Sequence, residues 1–380
     1  MLTSDNFSSL IHDKIKSTPA SERPAKEVSM TICTPDYYNA FHCIAGDCPA
    51  TCCAAGWEID LDEDSMERYQ STEGEFGEKL CRFIRKDEDF FFFPMEHGAC
   101  PFLTGKKLCS IYENLGEDAM PVTCQEFPRY FSDCGAYEQR DLSLACPEVA
   151  RIFYEGPLSF GIRTFEVEDE DGEMFSEDDD YDSEQLLLRW QLIRQRDQLI
   201  RDLERRQGDV FARLDAMGLL LPDDETILSS TIAAMEPVNA DWTKLSPKLL
   251  SLLESGKKEE AVQAFFREPS VNRWMVKSAS YLLFRYWLDA FQDNVDTIHE
   301  TGNADTEPQM RLIARSLEIL SLMGAVRLRE KGSFALQDMI DTAVLFSRQI
   351  EFDDEIIAAL STSPLLSDTI PDDENDDSLF

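Results

Sequence analysis

All 11 cysteines of this 380-residue chain lie between Cys33 and Cys146, and none follows. No other feature of the sequence constrains the fold as much. A thiol-based site must belong to one part of the chain, and the remainder must serve another purpose. The densest group is Cys43-x4-Cys48-x3-Cys52-Cys53, in the string FHCIAGDCPATCCAAGW. Four thiols within 11 residues bring their sulfurs together almost regardless of local fold. Gly46, Pro49 and Gly56 supply the tight turns that such wrapping needs. A second group follows, with Cys100 and Cys109 in ACPFLTGKKLCSIY, Cys124 in TCQEFPR and Cys146 in ACPEVARI. Cys100 and Cys146 directly precede proline, which fixes a backbone angle and removes a competing donor, as in ferredoxin-type sites.

Thiolates are soft ligands that suit zinc, copper(I) or iron–sulfur clusters. A disulfide framework would need an oxidising compartment, and nothing in the sequence points to secretion. Zinc sites usually show paired C-x2-C knuckles, and this chain has none. The wider spacings and the adjacent Cys52–Cys53 pair suit a cluster better, so the expected cofactor is iron–sulfur, with zinc as the alternative. The expected metal ligands are Cys43, Cys48, Cys52, Cys53, Cys100, Cys109, Cys124 and Cys146. A single cluster would use only four of them. Cys33, Cys81 and Cys134 read as ordinary buried thiols. His42 and His97 stand near the cysteines, but a lone histidine is more often structural. The C-x3-C-x2-C spacing of radical S-adenosylmethionine enzymes is missing, since position 55 is Ala. There is no Gly-rich dinucleotide loop and no P-loop.

Acidic residues number 74 against 36 basic, a net charge of −38. Such a surface repels phosphate and anionic lipid, which argues against nucleic acid and membrane as partners. It attracts a basic protein, although charge alone also serves solubility. No run of about 18 apolar residues is present, so no membrane span is expected. The N-terminal MLTSDNFSSLIHDKIKS lacks the apolar segment of a secretory signal, and the expected location is the cytoplasm.

The chain divides into an N-terminal tail (1–28), a cysteine-rich module (29–160), an acidic linker or loop (161–184), an α-helical domain (185–362) and a disordered acidic tail (363–380). The segment 166–184 holds 12 Asp or Glu in 19 residues, which argues for a solvated stretch. Beyond it, Leu186, Trp190, Ile193, Ile200 and Leu203 fall near one helical face, with Arg and Asp between them. Further amphipathic stretches lie at about 225–235, 246–255, 258–267, 271–292, 308–330 and 334–360. Pro247 and Pro308 suit first-turn positions, and Gly208, Gly256 and Gly332 suit helix ends. Trp274, Phe284, Tyr286 and Trp287 read as core. The fold class is mainly α: an irregular cysteine-rich module followed by a helical bundle.

The segment PDYYNAFHCIAGDCPATCCAAGWEIDLD (35–62) resembles the opening of the flagellin lysine-N-methylase family, part of a wider group of zinc- or iron-chelating proteins whose cysteine cluster ends in a Cys–Cys pair. CPFL (100–103), LCSIYENLGED (108–118), CQEFPR (124–129) and LSLACPE (142–148) follow in the family's order. The resemblance covers roughly 30–152. It implies methylation of flagellin lysines, S-adenosylmethionine as donor and a 4Fe-4S cluster on the eight cysteines named above. It assigns no catalytic or donor-binding residue. Acidic and aromatic candidates near the cysteines are Tyr37, Tyr38, Asp47, Glu58, Asp60, Tyr112 and Glu126, with Arg129 and Arg151 as candidates for a donor carboxylate. Trp57 and Phe90–Phe93 are expected to pack around the metal centre. The residues alone also allow a non-catalytic zinc or iron chelator docking a basic partner, or an electron carrier.

Overall fold

The computed structural model describes residues 29–87, 90–168, 181–222, 225–298 and 303–363. The expected N-terminal tail, half of the acidic linker and nearly all of the acidic C-terminal tail lie outside the described residues. Within them the protein is mainly α, as expected, with two small sheets near its N-terminus.

The larger sheet joins β1 (Ser29–Pro35), β5 (Arg129–Asp133), β6 (Tyr137–Leu142) and β7 (Ile162–Glu168) in the order β5-β6-β1-β7. β1 runs parallel to β6 and antiparallel to β7. The smaller sheet is β2 (Ile59–Leu61), β4 (Phe90–Phe93) and β3 (Arg85–Asp87), in that order and antiparallel. Around it lie α1 (Glu63–Ser71), α2 (Gly74–Phe83), α3 (Ser110–Leu115) and α4 (Val122–Glu126), and α5 (Pro147–Glu155) follows β6. The remaining helices are α6 (Ser183–Arg205), α7 (Val210–Asp215), α8 (Glu225–Ala234), α9 (Ala240–Glu254), α10 (Lys258–Phe266), α11 (Val271–Tyr286), α12 (Asp289–Asn294), α13 (Glu307–Lys331), α14 (Leu336–Ile350) and α15 (Asp354–Ser361). No described helix is long and apolar enough to cross a membrane.

Two hydrophobic cores form, and they do not coincide with the cysteine-rich and helical stretches of sequence. The small core holds Ile59, Leu61, Tyr69, Leu80, Phe93 and Phe102. The main core runs from Cys33, Leu142 and Val149 of the sheet region through the helices to Leu360. The larger sheet and α5 are therefore built into the helical body, and residues 59–124 make a satellite upon it. Residues 162–168, expected to open a linker, pair with β1 along its whole length.

Local chemistry explains the helix boundaries. Pro308 occupies the first turn of α13 and Gly332 ends it at φ 76°, as expected. Pro247 departs from expectation: it lies inside α9, because Asn239 caps that helix seven residues upstream of its expected start. On α6 the buried face is Leu188, Leu192, Ile193, Ile200 and Leu203, while Trp190 is exposed. Arg189 and Arg196 are buried on that face because partners await them: Arg189 donates to the Cys134 carbonyl at 2.7 Å, and Arg196 donates to Gln139 and to the Tyr137 hydroxyl. Trp274, Phe284, Tyr286 and Trp287 are core, as expected.

The cysteine loop docks on the helical body at Gly56. Its φ of 112° is one that L side chains rarely adopt, and a Cβ there would stand 2.0 Å from the Val238 carbonyl oxygen. Gly56→Ala is expected to lower stability by at least roughly 1–3 kcal/mol. Urea unfolding measures this, and an unchanged midpoint would contradict the docking.

Candidate metal centre

Each cysteine is placed by a local device. Thr51 caps a short 3₁₀ turn at Cys52–Ala54, accepting from the Cys53 N–H at 3.3 Å. The Cys100 N–H donates to the Cys53 carbonyl at 2.7 Å, which fixes the second cysteine segment against the first. Cys109 is the N-cap residue of α3, and Cys146 is the N-cap residue of α5 with Pro147 in the first turn. The backbone N–H groups of Ile111 and Tyr112 lower the Cys109 thiol, and those of Glu148 and Val149 the Cys146 thiol, although burial outweighs them. Such donors favour a thiolate, as helix N-termini do generally. Cys124 rides on α4. Asp62 anchors that helix by accepting from the Val122 N–H at 2.9 Å while also capping α1.

Cys52, Cys53, Cys100, Cys109 and Cys124 line one apolar cavity of about 40 Å³. Trp57, Phe93, Ile111, Met120 and Phe127 complete the lining. The expected role of the aromatic run holds only in part. In a strand, alternate residues face opposite ways, so Phe93 is buried while Phe90 is exposed.

Cys43, Cys48 and Cys146 stand apart from that cavity. The Cys43 and Cys48 thiols act electrostatically on Cys146, and Cys43 also acts on Cys52. Arg348 of α14 faces Cys52, Cys48 and Cys146. Its guanidinium donates to the Ala50 carbonyl at 2.7 Å and the Ala145 carbonyl at 3.0 Å. Among the described residues, no three His, Cys, Asp or Glu side chains are close enough as they stand to hold a single metal ion.

All eleven cysteines are free thiols. Burial pushes Cys100 up to about 12 and Cys146 up to about 11, and it raises Cys124 and Cys109 as well. A hydrogen bond from Cys52 pulls Cys53 down to about 6 and tightens the hold of Cys52 on its own proton. Cys33 and Cys134 are fully buried, as expected. Cys81 is exposed instead, because α2 buries its Gly77–Leu80 face and turns Cys81 outward. His42 and His97 are both exposed, and neither lines the cavity.

The other candidates scatter. Asp47, Glu58, Asp60, Tyr112 and Glu126 are exposed. Arg151 is engaged by Glu148 and Glu155, and Arg129 lies over the Phe41 ring at 5.9 Å. Tyr38 is half-buried against the main core. Tyr37 alone joins a larger constellation, donating to Asp141 at 3.3 Å. There Arg285 is buried between Asp141 at 3.6 Å and Glu351 at 3.4 Å. Glu351 also accepts from Tyr281 at 3.1 Å and Tyr286 at 3.0 Å, and the Tyr130 ring covers Arg285 at 4.0 Å. Burial pushes Asp141 up to about 6, partly offset by Arg285. Nearby Asp289 is pushed up to about 7 by burial, with the charge of Asp293 adding and Arg285 opposing. Apart from Tyr37, this constellation left no spacing signal in the sequence.

Residues 42–161 match a family model named CxxCxxCC and described as a "Putative zinc- or iron-chelating domain". The match covers the cysteine module and about a third of the chain. Relatives of the chain include the flagellar biosynthetic protein FliU of Salmonella muenchen, 29% identical over 139 residues, or 34% of this chain and 79% of FliU. The lysine-N-methylases of Salmonella typhimurium LT2 and Salmonella choleraesuis are likewise 29% identical over 139 residues, 34% of this chain. The match spans only a third of the length of those two relatives. No solved structure matches the chain.

Metal binding by a CxxCxxCC module with these thiols must be pH-dependent. Thiols held above neutrality keep their protons in the free protein, and a metal that takes them as thiolates must expel those protons. Apparent zinc affinity, measured against a chelator of known strength, should rise from pH 6.5 to 8 by up to about tenfold per pH unit for each proton displaced. A flat profile would mean that the buried thiols are not ligands.

Proposed function

We propose that this protein is a lysine N-methyltransferase acting on flagellin, with S-adenosylmethionine as methyl donor and an iron–sulfur centre held by the thiols of its cysteine module. The observation that carries the reading is the cysteine module itself: it matches a zinc- or iron-chelating family model and gathers five thiols around one apolar cavity, in a chain similar over about a third of its length to proteins named lysine-N-methylase. The eight proposed ligands are Cys43, Cys48, Cys52, Cys53, Cys100, Cys109, Cys124 and Cys146. Iron–sulfur is favoured over zinc because the spacings lack the paired C-x2-C knuckles usual for zinc and include the adjacent Cys52–Cys53 pair. Such a centre would supply a rigid core to the module and, with an open iron, an anchor for the donor.

The chain's own residues must deal with a proton. A lysine amine has a reference pKa of ~10.4 and cannot attack while protonated. It needs a carboxylate that accepts a proton near neutrality, and Asp289 at about 7 meets that requirement. Asp289 is partly exposed and lies near Tyr130, which is 38% exposed. The amine then displaces the donor's sulfonium sulfur, the methyl moves to nitrogen, and the proton passes to the carboxylate. The net charge of −38 favours encounter with lysine-bearing surfaces.

Anaerobically purified protein, flagellin and methyl-labelled donor should give label on flagellin lysines. A cluster-loaded protein that leaves flagellin unlabelled would overturn the enzymatic reading in favour of a chelator. Asp289→Asn should lower kcat by about 10²–10⁴-fold and remove the acid limb of the pH–rate profile near 7. An unaltered profile would remove Asp289 from the reaction.

A further inference from the structure

We infer that the free edge of β5 is the dock for a lysine-bearing substrate segment, which adds to the larger sheet as an extended strand and points its lysine past Tyr130 toward Asp289. β5 is an edge strand, with β6 as its one strand neighbour. In an antiparallel pair the backbone groups of successive residues alternate between the partner and the open side. The Ser143 N–H donates to the Pro128 carbonyl at 2.8 Å and the Cys134 N–H to the Tyr137 carbonyl at 2.9 Å, so the even-numbered residues of β5 face β6. The N–H and carbonyl groups of Arg129 and Phe131 therefore face away from it. Among the described residues, no hydrogen bond reaches them there. Edge strands are usually shielded by charge, a bulge or a covering element. The middle of β5 instead shows two rings, Tyr130 at 38% and Phe131 at 39% exposure, in unbroken register with β6.

The charges around that edge select the occupant. At one end of β5, Gln292 of α12 donates to the Asp133 carbonyl at 2.6 Å, which ties the helix of Asp289 and Asp293 beside the strand. The charges of Asp289, Asp354 and Glu351 all act on the Tyr130 hydroxyl, while Arg285 is buried beneath the Tyr130 ring at 4.0 Å. Asp293 and Asp354 are exposed, and Asp289 is partly so. Side chains of a strand alternate between faces, so Tyr130 points to one face while Arg129 and Phe131 point to the other. On an added strand, the residue directly opposite Tyr130 shares its face and comes to lie beside these acids. A lysine there meets opposite charge. Backbone pairing holds an extended peptide whatever its sequence, and the pocket beside the strand chooses the side chain. The inference rests on the proposed function, in which Asp289 takes the proton of a substrate lysine, and it adds how that substrate is held.

The probe is a short synthetic peptide of alternating Thr and Val with one central lysine, added to the full-length protein. Hydrogen exchange read by mass spectrometry should show the amides of Arg129–Asp133 slowed by the peptide. Phe131→Pro removes an outward N–H without touching a bond to β6, as edge strands allow, and should weaken peptide binding at least about tenfold. Phe131→Ala keeps that N–H and should bind within about threefold of the wild type. Replacing the peptide's lysine by Nε-acetyl-lysine should weaken binding about tenfold. Should Phe131→Pro fail to fold, as judged by circular dichroism, the exchange pattern of the wild type decides. Unslowed amides, undiminished binding by folded Phe131→Pro, an equal loss in Phe131→Ala or equal binding of the acetylated peptide would overturn the dock. Slowing that appears on raising the protein concentration without peptide would give the edge to a second copy of the chain, and would overturn it too. Unlabelled flagellin beside a peptide-protected β5 would end the methylase reading and leave the dock standing, and labelled flagellin with an unprotected β5 would do the reverse.

Discussion

Arg348 is the residue on which the relation between the cysteines and the helices depends. It sits on α14, deep in the helical body, yet both of its hydrogen bonds reach backbone carbonyls beside cysteines, at Ala50 and Ala145. Its guanidinium also lies 5.7 Å from the centre of the Trp57 ring, which stacks on Phe352 at 4.8 Å. A buried cation costs several kcal/mol unless its partners compensate it. Here the compensation comes from backbone carbonyls, an aromatic face and thiols, so the helical half and the cysteine loop stabilise one another. Gly56 extends the same interface by letting the loop approach Val238 more closely than any side chain would permit.

The thiol-lined cavity and the Arg285 constellation divide the polar burden of the molecule. Around the cavity, burial holds Cys100, Cys109 and Cys124 in their neutral form while the Cys52 hydrogen bond lowers Cys53, and the cost of the neutral thiols is relieved when a metal takes them as thiolates. Around Arg285, two acids and four tyrosines share one guanidinium. The ion pairs at 3.4 and 3.6 Å do not form hydrogen bonds, and Asp141 Oδ2, Arg285 Nε and Arg285 Nη1 are left without hydrogen-bond partners. A cluster held by charge and ring faces in this way keeps a raised carboxyl, Asp289, at hand near the surface without neutralising it.

Much of this was legible in the sequence. The helices announced themselves by apolar period and by end signals such as Pro308 and Gly332, and the metal-binding character followed from eight thiols at short spacing. What escaped was set by tertiary context. The parallel pairing of β1 with β6 joins Thr31 to Tyr137, and a seven-residue strand so far from its partner carries no local mark. Arg189 and Arg196 read as solvent-facing because their buried partners belong to other segments. The gathering of thiols was hidden for the same reason: Cys52 and Cys53, Cys100, Cys109 and Cys124 come from separate segments that only the fold brings to one cavity. Arg285, Asp141 and Glu351 come from three distant segments, so no motif could have announced them.

The central claim is that the thiols of this module bind metal through sulfur. X-ray absorption at the iron and zinc edges, on protein purified without oxygen, tests it most directly. The account predicts a first shell made of sulfur near the about 2.3 Å typical of thiolate ligation, with an iron–iron neighbour in the iron spectrum. A first shell dominated by nitrogen or oxygen would contradict it.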